Sequence, residues 1–270
     1  MIIVQGNSFE SLLKKLPTEL TKIKAVGIFS LGMYLENEKG ELIMLHDNKY
    51  GFIPFGIGII DYGNSLINIK IDSNDDISIS NKKLVIKNKL EVLLKPVSLR
   101  NKQSNMRLSN NQFLLQAISK LAKTEKGVMK NIINQSLKET QWSKRICKVL
   151  QFNDFESPEV LLELIGLGPG LTPSGDDFLI GYIYQKIVAR KDISKIKQLV
   201  EQLLNRTTAV SKAFITATMN GESFSLFDEV CCAKDEDSLN KAIEQLLEVG
   251  NNSGADILCG MCFAKMKADQ

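Results

Sequence analysis

Residues 166–182 read GLGPGLTPSGDDFLIGY, a Gly- and Pro-rich stretch that runs straight into an apolar one. Gly166, Gly168, Gly170 and Gly175 free the backbone, and Pro169 and Pro173 stiffen it between them. Asp176 and Asp177 then stand side by side where FLIGYIY begins a buried helix. Two uses compete for this arrangement. It is either a well-capped turn or the floor of a site.

The helix start is repeated. SGDDFLIG (174–181) and SGADILCG (253–260) share Ser, Gly, the second Asp, Leu and the last Gly. In each copy a Ser stands three residues before an Asp, Ser174 with Asp177 and Ser253 with Asp256. That spacing predicts a capping-box variant, the hydroxyl on an amide of its own first turn and the carboxylate reaching back. A carboxylate there also suits the positive end of the helix. Gly181 and Gly260 lie two turns in, where glycine costs about 1 kcal/mol relative to Ala. The expected reason is close approach of another helix, so the two repeated helices should cross near these glycines with their N-termini converging.

Capping leaves Asp176 unexplained, because the second copy has Ala255, and GLGPGLTP has no counterpart before Ser253. A Gly-rich loop entering a helix presents amides that bind phosphate or carboxylate. Gly168, Gly170 and Gly175 would supply them, with hydroxyls from Thr172 and Ser174. Asp176 would repel a bare anion, and Mg²⁺ bridging carboxylate and phosphate would remove that conflict. Proton transfer by Asp176 and Asp177, or orientation of an amide NH₂, needs no metal. No Lys follows the last glycine, so this is not a nucleotide-binding P-loop, and the glycines are too closely set for a dinucleotide fingerprint.

Upstream, the pattern alternates. KAVGIFSLGMYLENEKGELIML gives two apolar runs around Asn37–Gly40, and YGFIPFGIGII, SLINIKI and KLVIKNKLEVLL follow, each bounded by turn residues. Strands of this length and spacing predict a small barrel or sandwich over residues 1–100. Residues 97–108 are polar and aperiodic and mark the boundary. From there the apolar residues recur at helical spacing, as in Phe113, Leu114, Ala117, Ile118, Leu121 and Ala122, with Gly127 a candidate stop. SPEVLLELIG opens with Ser157 as cap and Pro158 in the first turn. Further helices are predicted over 176–190, 193–204, 208–219, 236–248 and 254–267. The chain is thus α+β, a β-rich part followed by a mainly helical part over 101–270.

Composition excludes several classes. With 34 basic and 31 acidic residues of 270, the net charge of +3 does not argue for nucleic acid. The basic stretch from Lys82 to Arg107 reads as a solvated face, with an anionic partner such as RNA as its rival. No apolar run is long enough to span a membrane. MIIVQGNSFE lacks the apolar core of a signal peptide, and five unframed cysteines suit a reducing compartment, so a cytoplasmic location is expected. His46, the only histidine, reads as an exposed loop residue at a strand end and leaves no His-based triad. Cys259 and Cys262 lack the second pair that zinc needs, and Cys231 and Cys232 read as buried fillers. Trp142, Tyr182 and Tyr184 make no visible stacking platform for single strands.

GLGPGLTPSGDDFLIGY, with RTTAVSKAFITATMNGE (206–222) and GNNSGADILCG (250–260), resembles the AllH-type family. The resemblance implies a subunit of oxamate carbamoyltransferase in ureide and allantoin breakdown, with oxamate and carbamoyl phosphate giving oxalurate and phosphate. It also implies partner subunits of a hetero-oligomer and a small anionic substrate such as carbamoyl phosphate. Beside the Gly-rich motif, Arg206 could clamp a carboxylate or phosphate, Asn251 could hydrogen-bond an amide, and Ser253 could bind substrate. The family pattern often carries His at the position of Asn251, which departs from it here. The rival reading is a non-catalytic phosphate- or nucleotide-binding scaffold subunit whose partners do the chemistry.

Overall fold

The computed structural model describes residues 1–29, 32–60, 62, 69, 71–97, 110–130, 145, 149, 155–222 and 224–268. Most of SLINIKI, residues 98–108 of the boundary, the basic Arg100, Lys102 and Arg107, and Cys147 and Trp142 lie outside them. The chain divides into two compact units, Met1–Gln103 with Ser223–Leu226, and Ser104–Glu222 with Phe227–Gln270.

The first unit is a closed barrel of eight strands. They are β1 (Ile2–Phe9), β2 (Thr21–Phe29), β3 (Gly32–Glu36), β4 (Leu42–Asp47), β5 (Gly56–Ile59), β6 (Ile77–Ile79), β7 (Lys83–Ile86) and β8 (Leu90–Val97), in the spatial order β1-β5-β4-β3-β2-β6-β7-β8. β1 runs parallel to β8 and β4 parallel to β5, and the other neighbours are antiparallel. In β6, β7 and β8 period-two alternation sets the register, because a slip of one residue would turn the apolar side chains outward, whereas β3, β4 and β5 are buried on both faces. Met33 lies opposite Leu45, Leu35 opposite Ile43, Ile79 opposite Leu84, and Ile86 opposite Leu90. All eight are buried in one core, which Leu12 and Leu13 of the short α1 (Glu10–Lys15) join.

The Asn37–Gly40 turn forms as expected. The Asn37 side-chain oxygen accepts the amides of Lys39 (3.0 Å) and Glu41 (2.9 Å), and Gly40 takes φ +75°. The apolar run before it is not one strand, however. It divides into β2 and β3, paired from Lys24–Glu36 to Phe29–Gly32 with a bulge between Ala25 and Gly27.

His46 corrects the loop expectation: it lies within β4 and is 1% exposed. Its neighbour strand β5 offers glycine where side chains would stand, and a Cβ at Gly56 would lie 2.7 Å from Nε2. Nδ1 is 2.9 Å from the Asp47 carbonyl, and burial pushes the imidazole pKa down, so the ring is neutral and donates from Nδ1.

The second unit is helical, comprising α2 (Asn110–Lys123), α3 (Pro158–Leu164), α4 (Ser174–Val188), α5 (Ser194–Leu203), α6 (Ala209–Met219), α8 (Glu236–Leu247) and α9 (Ser253–Ala268). Between α6 and α8 runs α7 (Ser225–Cys231). The helices expected over 176–190, 193–204, 208–219, 236–248 and 254–267 start and stop within about two residues of that reading, the usual precision of helix ends, whereas α7 was not expected and α2 ends at Lys123, short of the candidate stop at Gly127. Ser157 caps α3 through the Val160 amide, with Pro158 at the first position. Cys231, Cys259 and Cys262 are buried, but Cys232 is only half-buried and is not the core filler expected. Among the described residues no helix is long and apolar enough to cross a membrane.

α4 and α9 cross at the repeated glycines. A Cβ on Gly181 would lie 2.8 Å from the Ile257 carbonyl carbon and closer still to its oxygen. A Cβ on Gly260 would meet Phe178 in the same way, 2.9 Å from its carbonyl carbon. Phe178 and Ile257 occupy the same position in the two copies, so the contact is a local two-fold. The next glycine outward repeats the device. Gly175 packs on the backbone of Leu164 at the end of α3, and Gly254 on that of Leu246 in α8. Each copy is therefore a helix hairpin, and the first has the longer connection, which is GLGPGLTP.

Candidate functional site

The converging N-termini of α4 and α9 hold most of the residues singled out in the sequence, in a different arrangement from the capping box. α4 is capped by Pro173, with no side-chain bond, and Ser174 is its first helical residue. Pro173 is extended (φ −55°, ψ 142°) and its carbonyl accepts both the Asp176 amide (2.9 Å) and the Asp177 amide (3.0 Å). The first turn thus needs no hydroxyl from its own helix. The serines cross over instead. The Ser174 hydroxyl supports Asp256 of α9, and the Ser253 hydroxyl supports Asp177 of α4. Thr172 joins them, its hydroxyl 3.0 Å from that of Ser253.

Asp177 and Asp256 are buried, and each has one carboxyl oxygen, Oδ2, without a hydrogen-bond partner. Burial raises the Asp177 pKa well above the usual carboxylate range; the neighbouring Asp256 and Asp176 raise it further, and the Ser253 and Thr172 hydroxyls offset part. Burial likewise pushes Asp256 up to about 7, against the Met129 and Val128 amides, the Ser174 hydroxyl and Lys130. The other oxygen of Asp256 accepts the Met129 amide at 2.7 Å, and the Asn252 side chain accepts that of Gly127 at 2.9 Å. The loop after α2 is therefore tied to the start of α9.

Asp176 faces the other way and ties the Gly-rich loop. Its Oδ1 accepts the Gly166 amide at 2.9 Å, and its Oδ2 accepts the Thr207 hydroxyl. Burial still raises its pKa, with those bonds and the Arg145 charge opposing. Asp176→Ala removes these acceptors and leaves the Gly166 amide unpaired. A loss of about 2–3 kcal/mol is expected, read as a lower thermal midpoint and faster proteolysis between Gly166 and Pro173. A midpoint equal to wild type would mean that the carboxylate does not hold the loop.

The loop itself has φ +72°, +118° and +94° at Gly166, Gly168 and Gly170. Gly168 is also needed for space, since a Cβ would lie 2.8 Å from the Ser174 amide, whereas nothing stands within 4 Å of a Cβ at Gly170. The Gly175 amide is taken by the Leu167 carbonyl at 2.8 Å. Leu171 is exposed, and Thr208, which caps α6, bonds its carbonyl. Arg206 is exposed in a 3-10 turn (Leu204–Arg206), and what it brings to the loop is its backbone oxygen, against Gly166. Asn251 is exposed, and Ser253 and Thr172 are half-buried.

Several contributors carried no signal of their own in the sequence. Arg145, which also pairs with Glu163 at 3.1 Å, belongs to no motif. Thr207 was visible only as part of the stretch 206–222. Asp256 was marked by its equivalence to Asp177 in the repeat. Among the described residues no group of three or more His, Cys, Asp or Glu side chains is disposed to hold a metal ion. No solved structure matches the chain. The family model described as oxamate carbamoyltransferase subunit AllH does match it, over residues 164–265, a span that runs from the end of α3 through both repeated helix starts.

Proposed function

We propose that the chain is an AllH-type subunit of a carbamoyltransferase, working with partner subunits on carbamoyl phosphate and oxamate. One observation supports this above the others. The family match contains both copies of the repeat, and with them the serine-swapped carboxyls.

In the forward reaction the amide nitrogen of oxamate attacks the carbamoyl carbon, the bond to phosphate breaks and the nitrogen gives up a proton. In reverse, a phosphate oxygen attacks the ureido carbonyl of oxalurate, and the departing oxamate nitrogen takes a proton. Either direction needs a proton donor and acceptor near neutral pH, which carboxyls raised by burial provide. Amides of Gly168 and Gly170 would receive the phosphate, with Arg206 turned inward on it. Asn251 and Ser253 would hold the amidated acid, and the hydroxyls of Thr172 and Ser174 complete the polar lining. Mg²⁺ is not required by this scheme.

The burial of Asp177 and Asp256 favours a second reading, in which the chain is a non-catalytic phosphate- or nucleotide-binding scaffold and its partners do the chemistry. Phosphorolysis of oxalurate, measured on the isolated chain and on the chain reconstituted with its partner subunits, separates the two. Activity of the complex that falls about a hundredfold or more in Asp177→Asn supports a catalytic subunit. Activity that Asp177→Asn leaves unchanged supports the scaffold, and no activity in any combination ends the carbamoyltransferase reading.

A further inference from the structure

We propose that Thr208 is a positioning residue for the Gly-rich loop: by holding the Leu171 carbonyl, it aims the Thr172 amide at the oxyanion that the loop receives. This deepens the reading above and rests on its phosphate site. The sequence draws attention to Arg206 for its charge, yet that side chain is exposed. What residues 206–208 bring to the loop is a backbone oxygen and two hydroxyls.

These three successive residues meet the loop at both ends of its glycine run. A Cβ on Gly166 would lie 2.6 Å from the Arg206 carbonyl oxygen. The Thr207 hydroxyl bonds Asp176, whose other oxygen accepts the Gly166 amide at 2.9 Å. The Thr208 hydroxyl donates to the Leu171 carbonyl, and it accepts the Ser211 amide at 3.0 Å. One hydroxyl therefore caps α6 and ties the loop. Gly168 and Gly170 offer no side chain to fix their own segment, so the loop takes its position from the start of α6.

The tie also sets a direction. A trans peptide points its C=O and its N–H to opposite sides, and among the described residues no peptide bond is cis. With the Leu171 carbonyl drawn to α6, the Thr172 N–H points away from α6. The Thr172 hydroxyl meets that of Ser253, at the start of α9, at 3.0 Å. By the same logic the Gly168 amide is turned away from α4, because the Leu167 carbonyl accepts the Gly175 amide at 2.8 Å. Among the described residues the amides of Gly168, Gly170 and Thr172 have no acceptor. The Thr172 amide is thus a third donor beside the two glycines, and the one whose direction is set from outside the loop and α4.

The test uses the full chain, with inorganic phosphate as the probe and backbone amide NMR as the readout. In wild type the amide signals of Gly168, Gly170 and Thr172 should move together as phosphate is added. Thr208→Val removes both bonds of the hydroxyl. The Thr172 response should then be lost and phosphate should bind about tenfold more weakly, the effect of one hydrogen bond to a charged group. Thr208→Ser keeps the hydroxyl and should bind as wild type does, which a role for the bulk of the side chain would not allow. Thr208→Gly separates the two duties, because glycine in place of a capping hydroxyl costs a helix little. Its thermal midpoint should barely fall while phosphate still binds about tenfold more weakly, and it serves should Thr208→Val fail to fold. Wild-type affinity together with a wild-type Thr172 response in Thr208→Gly overturns the positioning role and leaves the phosphate site standing. No response of these amides in wild type overturns both. Thr208-dependent phosphate binding, in a chain whose complex shows no phosphorolysis of oxalurate, leaves the positioning role standing and ends the carbamoyltransferase reading alone.

Discussion

Gly181→Ala is expected to destabilise the helical unit by about 3 kcal/mol or more, although the same substitution in an unhindered helix would stabilise it by about 1 kcal/mol. The added Cβ would meet the Ile257 carbonyl, and backbone cannot turn aside as a flexible side chain can. The helices must move apart, which opens gaps among Phe178, Ile183, Leu258 and Met261, all buried at the crossing. Gly260→Ala should behave alike, because it meets Phe178 at the equivalent position. The double variant should lose less than the two single losses added, since one separation of the helices relieves both clashes. Urea unfolding followed by helical circular dichroism gives all three values. Single variants as stable as wild type would mean that the helices do not approach at these glycines. Losses that simply add would mean that the two clashes are independent.

This crossing was readable in advance because two glycines, each costly where it stands, sat at the same position of a repeat. The barrel was readable for a comparable reason, since alternating apolar residues bounded by turn signals have few other uses. What escaped was decided by neighbours that the local pattern does not name. The stretch 24–36 reads as one run because AVGIF and LGMYL stand on either side of Ser30 with no turn signal between them, while the division into β2 and β3 depends on pairing. A lone His carries no periodicity, and His46 is buried because the adjacent strand presents Gly56 and Gly58 to it. Ser-x-x-Asp suits a box within one helix just as well as an exchange between two. Only the close meeting of α4 and α9, set by the glycines, brings the other helix's carboxylate within reach of each serine. Arg145 had neither motif nor repeat behind it.

The asymmetry of the repeat then carries meaning. Both hairpins keep the glycine contact, the serine and the second aspartate, and these hold the helices together. The first hairpin adds GLGPGLTP and Asp176, and it is Asp176 that binds the added loop down through Gly166. The loop in turn places Thr172 against Ser253. A duplicated structural core thus carries one decorated mouth, and the glycines proposed to receive the phosphate, Gly168 and Gly170, lie on the decoration.

The buried carboxyls also fix how stability should depend on pH. A group whose folded pKa lies above its unfolded value binds more protons when folded, so its contribution is fully present below the unfolded pKa and is lost as pH rises through the folded one. For Asp256 that window runs from about 4, the ordinary value for Asp, to about 7. Within it the chain should lose about 1.4 kcal/mol of stability per pH unit for each such group that titrates. Asp177, raised further, extends the loss to higher pH. His46 works in the opposite sense, because burial lowers its pKa and its contribution is lost as pH falls. The wild-type curve therefore mixes both signs, and the difference from Asp256→Asn isolates one. Asn keeps an oxygen for the Met129 amide. Unfolding free energies measured at about pH 5 and about pH 8 should show the variant gaining on wild type by about 2 kcal/mol or more. A constant difference at the two pH values would mean that Asp256 is already ionised in the folded chain. The crossed serines would then be holding a carboxylate rather than an acid, and a proton donor for the reaction would have to be sought elsewhere.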